Sequence, residues 1–395
     1  MASSEGRCRR RGKKSKAKKK KKKEAGPTTV QDLPDHLFEL ILVRLGPSPC
    51  LVRAAAACKR WCRVVANPGL LARFSPQAPH VGDYHTDQGG RPLFVPSSPV
   101  VVDGSRFSLD FLPDSGSWDI ADSRGSLLLL CDGYDLIVCE PLTGLYQGIL
   151  WPGVFRRRLG VFLLDGGDAN RRVSMSNFRV LAAFDKSIAC IFSTGRDGGW
   201  RLVSSAITGD IELPSTLRPE NFVGRANGTM YWGIEGSDTA VLALDESTAE
   251  FSIAAFPEAV WWPSHKGISR VVGGEDGVLR VIRLIDNELK VFARRHADSD
   301  DDDEWLLEMQ LRLPETTLGL PGRRESFFQQ EAMIVSANAR YVLLTPSEET
   351  WLFSVELDTM RVERKHERNK YAGEAYPCKL PWPPALADHS RERRR

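Results

Sequence analysis

The chain has 395 residues, of which 42% are hydrophobic and 27% charged, and its formal net charge is +3. This length predicts two or three folded units, and the apolar fraction is ample for packed cores. No apolar run reaches the roughly 18 residues that a membrane-spanning helix needs, and the basic start does not resemble a secretion signal. We therefore expect a soluble protein with no membrane partner.

The first segment is a basic tail that the small net charge conceals. Residues 1–26 hold thirteen Lys or Arg against two Glu, a net +11, so the other 369 residues carry −8. We expect residues 1–29 to be disordered, because such a run repels itself and cannot bury a core. Three interpretations of the tail stay open: a solvated end, a nonspecific salt-dependent contact with nucleic acid, and a nuclear-localisation signal. The protein is therefore expected in the nucleus, the cytoplasm or both. The lysine cluster of that signal is Lys18, Lys19, Lys20, Lys21, Lys22 and Lys23.

Residues 33–45, LPDHLFELILVRL, predict a first helix. Pro34 falls in its first turn, Asp32 or Asp35 can cap it, and Gly-Pro follows its end. Seven of the nine residues 37–45 are large and apolar, which covers more than one face of a helix. A helical unit of about 45 residues is too small to hide two such faces. The pattern therefore predicts a partner polypeptide.

A second helix is predicted from Ser48–Pro49 to the Asn-Pro-Gly stop at residue 67, and a short third helix follows. The eight cysteines form no CxxC pair, which favours buried apolar thiols over a zinc site. Two alternatives stay open at this point. The apolar residues could face the C-terminal body instead of a partner, or the basic second helix could bind DNA. The second alternative is disfavoured, because that helix has no Asn or Gln to read base edges and the acidic body repels phosphate.

Together, LPDHLFELILVRL and LVRAAAACKRWCRVV resemble an F-box over residues 30–75. The resemblance implies docking to the Skp-type adaptor of a cullin–RING ubiquitin ligase, with the rest of the chain selecting the substrate. Trp61 would either contact the adaptor or pack the helices together. The implied adaptor-binding residues are Leu33, Pro34, Leu37, Ile41, Leu45, Leu51, Val52 and Trp61.

From residue 80 onward, short apolar strands alternate with Gly, Asp, Asn and Ser turns. Segments such as SRGSLLLLCDGYDLIVCEPLTG (123–144) and NGTMYWGIEGSDTAVLALDESTAEFSI (227–253) share one plan. Copies recur every 40–65 residues or so, as the blades of a propeller do, so we predict six or seven blades. One or two twisted sandwiches are the alternative. RFSLDFLP (106–113) is interpreted as a first-blade strand, and AYPCKLPWPP (375–384) as a terminal edge or cover.

This body resembles the propeller-like regions of plant F-box proteins, especially those of grasses, through EPLTG (140–144), NG–MYW (227–232) and AYPCKLPWPP. The resemblance implies a non-catalytic substrate-recognition subunit of an SCF-type E3 ubiquitin ligase. Its partners would be the Skp-type adaptor, the cullin scaffold and an unidentified protein substrate, and no cofactor is expected. The alternatives are a propeller-scaffold enzyme and a nuclear or nucleic-acid-associated protein that uses the basic tail, although the acidic body argues against nucleic acid.

No catalytic or metal-binding motif is present in the sequence, so no catalytic, cofactor-binding or metal residue is predicted. The nearest approach to a ligand cluster is His80, Asp83 and His85, interpreted as exposed loop residues. The acidic run 298–304 is interpreted as a solvated loop of unassigned role. Trp261 and Trp262 are predicted to contact substrate, because adjacent residues of a strand cannot both face one core.

The predicted fold class is therefore an α+β multidomain protein, in which a small all-α module precedes an all-β propeller-like domain. The predicted units are a disordered basic tail (1–29), an F-box (30–75), a linker with first strands (76–105), a propeller-like substrate-binding domain (106–385) and a basic end (386–395).

Overall fold

The structure is a computed structural model. It describes residues 33–44, 59–65, 67–71, 80–87, 90–97, 102–133, 135–151, 158–166, 173–184, 188–195, 198–204, 217–237, 239–257, 260, 268–274, 276–295, 304–321, 325–329, 331–346, 351–366 and 371–380.

A small helical module comes first. It contains α1 (Asp35–Arg44), α2 (Lys59–Val65) and α3 (Pro68–Leu71). α3 begins with Pro68, a favoured first helical residue, after Asn67, whose side-chain oxygen accepts a hydrogen bond from Gly69 N at 2.9 Å. One apolar cluster joins the three helices, and its buried members are Phe38, Leu42, Val64, Val65 and Leu70.

The remainder is built mainly from strands. Short helical turns lie at Gly104–Phe107, Pro219–Asn221 and α4 (Leu313–Thr316). The strands are β1 (His80–Asp87), β2 (Pro92–Pro96), β3 (Asp119–Arg124), β4 (Leu127–Cys131), β5 (Asp135–Glu140), β6 (Leu145–Leu150), β7 (Arg158–Leu164), β8 (Arg179–Phe184), β9 (Ile188–Ser193), β10 (Gly199–Ser204), β11 (Phe222–Ala226), β12 (Thr229–Gly233), β13 (Ala240–Asp245), β14 (Phe251–Ala255), β15 (Ser269–Gly273), β16 (Leu279–Ile285), β17 (Glu288–Arg295), β18 (Glu304–Arg312), β19 (Ala332–Ala337), β20 (Tyr341–Pro346), β21 (Leu352–Glu356), β22 (Val362–His366) and β23 (Tyr371–Lys379).

The strands form six antiparallel blades. Blades 1 (β3–β6), 2 (β7–β10) and 5 (β19–β22) are separate four-stranded sheets. Blades 3 (β11–β14) and 4 (β15–β18) join into one eight-stranded sheet, because β11 and β15 pair in parallel. Blade 6 has the order β2-β1-β23, so it combines early and late parts of the sequence. The first strands of blades 1, 2, 3, 4 and 5 and strand β23 lie innermost.

The blades close into a ring, because an apolar seam fills the space between each blade and the next. Neighbouring residues of one strand point into opposite seams, since side chains alternate across a sheet. In β4, for example, Leu130 faces blade 6 and Leu129 faces blade 2. Each seam draws residues from two blades, and examples from the six seams are Tyr84 and Leu130, Leu129 and Phe184, Leu181 and Trp232, Tyr231 and Val281, Ile282 and Phe353, and Leu343 and Ala375.

A recurrent turn between the third and fourth strands explains the repeat in the sequence. An acidic residue starts the turn, Thr lies three residues later, and the next residue has positive φ. Backbone N–H groups of Gly144, Ala249 and Met360 donate to the carbonyls of Glu140, Asp245 and Glu356, closing the same turn in three blades. The prediction of a propeller-like body behind a small helical module is therefore confirmed.

Two local interpretations change, and a third is narrowed to one of its alternatives. Residues 104–107 form a 3₁₀ turn capped by Asp103, whose carboxylate accepts from Ser105 N at 3.2 Å, so RFSLDFLP is not the predicted strand. Residues 375–379 belong to β23, the inner edge strand of blade 6, which agrees with the terminal-edge alternative rather than the cover, and residues 381–384 lie outside the described residues. His80, Asp83 and His85 lie in strand β1, not in a loop.

The parallel contact between blades 3 and 4 depends on a glycine. Gly224 has φ of +143°, and a Cβ there would overlap the carbonyl oxygen of Val271. Gly228 also has positive φ, at +77°, but a Cβ would meet nothing within 4 Å.

We predict that Gly224→Ala lowers the free energy of unfolding by about 2 kcal/mol or more, because strain and overlap add. Gly228→Ala, the matched control, should cost only about 1 kcal/mol from backbone strain. Chemical denaturation of both variants measures the difference. Equal losses would show that β11 and β15 separate easily.

Candidate functional site

Helix α1 has two apolar faces, of which one is buried in the module and the other is exposed. Phe38 and Leu42 are 1% and 0% exposed and form the module core. Leu37, Leu40 and Ile41 are 41%, 49% and 43% exposed. Covering these three half-exposed side chains would contribute roughly 2–5 kcal/mol, which is below the usual entropic cost of association. A partner that binds this face must therefore also contact neighbouring residues.

The exposed face is held rigidly by contacts from α2. Arg60 Nε and Nη2 donate to Asp35 Oδ1 at 3.0 and 2.7 Å, and Nη2 also donates to the Leu33 carbonyl. The hydrogen bond from Arg60 holds the pKa of Asp35 below its usual value. The Trp61 ring packs on Phe38 with centroids 4.7 Å apart. Trp61 thus packs the helices together within the described residues.

Five of the eight docking residues predicted from the sequence lie within the described residues, and three lie outside them. Leu37 and Ile41 are exposed beside each other on α1, Pro34 is exposed and Leu33 is half-buried at the start of the helix. Leu40 extends this face and was not among the predicted residues, although its spacing from Leu37 could have indicated it. Leu45, Leu51 and Val52 lie outside the described residues, as do Trp261, Trp262 and the six lysines of the tail.

A charged network joins blades 1, 2 and 3 at one end of their inner strands. Arg225 Nη2 lies 3.3 Å from Asp122 Oδ2, and its Nε lies 2.8 Å from Glu246 Oε1. Arg124 lies 3.1 Å from Glu246 Oε2 and also pairs with Asp165. Burial raises the pKa of Asp122, although the Arg225 charge and a 2.7 Å hydrogen bond from Leu163 N oppose that shift.

Two further polar groups tie the ring together. Buried Arg270 lies 3.5 Å from Glu374 and donates to the Ile334 carbonyl at 3.2 Å, linking blades 4, 5 and 6. At the seam of blades 5 and 6, Tyr341 Oη donates to Asp83 Oδ1 at 3.1 Å, and His80 Nε2 lies 3.0 Å from the same oxygen. These charged and polar groups therefore pair across seams, although buried Glu246 Oε1 has only its ion pair with Arg225 and no hydrogen bond.

The described part of the chain holds no group of three His, Cys, Asp or Glu with the geometry of a metal site. Its cysteines 131, 139, 190 and 378 are buried and free, and burial raises the pKa of Cys139 and of Cys378 to about 12. No helix within these residues is long and apolar enough to cross a membrane.

We predict that Arg225→Ala lowers the free energy of unfolding by about 2 kcal/mol, because it leaves the largely buried Asp122 carboxylate without its ion-pair partner, while the hydrogen bond from Leu163 N remains. Asp122 has a raised pKa in the folded state, so protonation relieves this cost and the loss should be smaller near about pH 5 than near about pH 8. Denaturation at both values tests this, with exposed Arg201→Ala as control. A loss independent of pH would contradict the role given to Asp122.

Comparison with protein-family models shows which family the chain belongs to. A model described as F-box protein AT5G49610-like, beta-propeller matches residues 119–386, and a model for an F-box-like domain matches residues 30–76. The chain belongs to this family of F-box propeller proteins. An F-box followed by a propeller is the domain pair of a substrate-adaptor-type protein, and F-box domains generally bind Skp-type adaptors. No curated protein matches the chain.

Among solved structures, a nidogen/laminin complex is 11% identical with a TM-score of 0.40, over 74% of this chain and 95% of that one. Virginiamycin B lyase from Staphylococcus aureus is 11% identical with a TM-score of 0.33, over 77% and 86%. Regucalcin from Agrobacterium tumefaciens, titled a calcium-binding protein, is 11% identical with a TM-score of 0.33, over 65% and 76%. Likenesses this distant carry no functional argument.

Proposed function

We propose that this protein is the substrate-recognition subunit of an SCF-type E3 ubiquitin ligase. The F-box docks a Skp-type adaptor, which connects it to a cullin scaffold, and the propeller holds a protein target. The observation that carries the proposal is the face of Leu37, Leu40 and Ile41, left exposed beside the buried cluster of Phe38, Leu42, Val64, Val65 and Leu70. The F-box-like match over the same residues supports the choice of partner.

The proposed mechanism is proximity rather than chemistry by this chain. A receptor that holds the target beside a ubiquitin-loaded conjugating enzyme replaces a bimolecular encounter with an effectively intramolecular one. The rigid blades suit that task, because every seam between them is packed. The protein would need no cofactor and no catalytic residue for this role.

We predict that Leu37→Asp and Ile41→Asp abolish co-purification with a Skp-type adaptor and leave the thermal stability almost unchanged. Both side chains are exposed, so a carboxylate there meets water in the free protein but is buried without a partner in the complex. Leu93→Asp, at a side chain 45% exposed on β2, is the matched control and should retain the adaptor.

Leu42→Asp separates docking from folding in the same experiment. Leu42 is fully buried, so this variant should lose both the adaptor and the fold of the helical module. Adaptor binding that survives Leu37→Asp and Ile41→Asp together would contradict the proposed docking face.

We further propose that the lysine-rich tail directs the protein to the nucleus, because import receptors bind short basic clusters of this kind. Deletion of residues 7–23 from a fluorescent fusion should shift the protein toward the cytoplasm, whereas deletion of the basic residues 391–395 should not. Unchanged localisation after the first deletion would assign the tail another role.

A further inference from the structure

The outer strands of the propeller differ in how their open edges are protected. Charges or prolines on an edge strand discourage pairing with another chain. Prolines begin and end β2, and charged residues lie in β10, β18 and β22. β14 is uncharged but its exposed side chains are small. β6, with the sequence LYQGIL, has neither charge nor proline.

β6 also exposes large apolar side chains. Leu145, Tyr146 and Leu150 are 56%, 49% and 80% exposed. Its one partner strand among the described residues is β5, so no described strand pairs with its other edge. Alternate residues of an antiparallel strand turn their N–H and C=O groups outward, so about three residues of β6 face this edge, and one of them, Leu150, already gives its carbonyl to the Trp200 indole.

The strand is held in place by blade 2. The indole N–H of Trp200 donates to the Leu150 carbonyl at 2.8 Å, and Thr194 Oγ1 donates to Gln147 Oε1 at 3.2 Å. Between Tyr146 and Leu150, on the same face of the strand, lies Gly148, where a Cβ would meet nothing within 4 Å. The edge is therefore preorganised, with open space between two apolar side chains.

A loop beside this face provides a second feature. The ring of Phe111 lies 6.4 Å from that of Tyr146. The same loop, with strand β2, lines a cleft of about 530 Å³ whose apolar residues include Leu93, Phe107 and Leu109. Phe111 therefore extends the apolar surface at the Tyr146 end of the strand.

The charged side chains near the β6 edge favour one kind of partner segment over another. On the loop, Arg106 lies 3.7 Å from Asp103, whereas exposed Asp110 and Asp114 add two further negative charges. Arg91 lines the cleft, and exposed Asp135 pairs in register with Leu150. A second copy of this chain bound through the same strand would bring these carboxylates toward their own copies, which is unfavourable. A segment with basic residues between apolar ones would gain from them.

We propose that the open edge of β6 binds an extended segment of the target protein, in which apolar residues alternate with Lys or Arg. The segment adds a fifth strand to blade 1. This inference rests on the proposed receptor function, since it names the surface and the chemical class of the target.

The test uses a fluorescent octapeptide of alternating valine and lysine, with anisotropy measured on the full-length protein. Leu150→Lys should weaken binding about tenfold or more, since it places a cation at the edge. Leu318→Lys adds the same charge at a residue 63% exposed on another part of the ring and should bind as wild type. Tyr146→Thr, which keeps the charge constant, should also weaken binding.

Two altered peptides examine the mode of binding. Methylation of alternate backbone amides removes the donors that strand pairing needs, and glutamate in place of lysine reverses the charge. Both should bind more weakly than the original peptide. Equal binding of either peptide, unchanged binding by Leu150→Lys, or a wild-type dimer that Leu150→Lys dissociates would overturn the proposal.

The adaptor assay keeps the two proposals distinct. Leu150→Lys should co-purify with the Skp-type adaptor as wild type does, because the substitution lies on blade 1. Adaptor binding without peptide binding would refute the β6 site alone. Peptide binding without adaptor binding would refute the ligase function and leave the β6 site as a peptide-binding edge.

Discussion

The propeller depends on one constraint, which is that both faces of every blade need an apolar cover. Neighbouring residues such as Leu129 and Leu130 point into different seams, so a blade is stable only between two others. The ring satisfies this need completely when β23 pairs with β1, which supplies blade 6 from two distant parts of the sequence. The charged network of Asp122, Arg225 and Glu246 adds cross-blade contacts, but it lies on a frame that the seams define.

The helical module meets the same problem differently. Its core is a single cluster, and α1 has more apolar surface than that cluster contains. The outward face is nevertheless held in a fixed orientation, because Arg60 joins α2 to the start of α1 and Trp61 packs on Phe38. An apolar face that is exposed yet rigid loses little conformational entropy on binding, which is the favourable case for a docking surface.

The sequence was informative where the signal is local. The apolar run LLLLC predicts a strand buried on both faces, and the acidic–Thr spacing of the turns predicts repeated hairpins. It was uninformative where pairing is long-range, since nothing near His80 indicates a partner strand near residue 376. RFSLDFLP failed for another reason, because apolar residues that alternate in sequence can also pack inward from an irregular loop, as Phe107 and Leu109 do at and after the 3₁₀ turn. The clustering of Asp122 with Arg225 likewise has no signature, since 103 residues separate them.

The closure of blade 6 has a consequence for biosynthesis. Strands β1 and β2 leave the ribosome early, but β23, the second partner of β1, ends at Lys379, so the circle stays incomplete until the strands of blades 1 to 5 have all been translated. Until then the inner edge of β1 and the seam surfaces of blades 1 and 5 remain open, which is the kind of intermediate that molecular chaperones recognise. A premature stop codon before β23 would therefore destabilise the whole propeller rather than only blade 6.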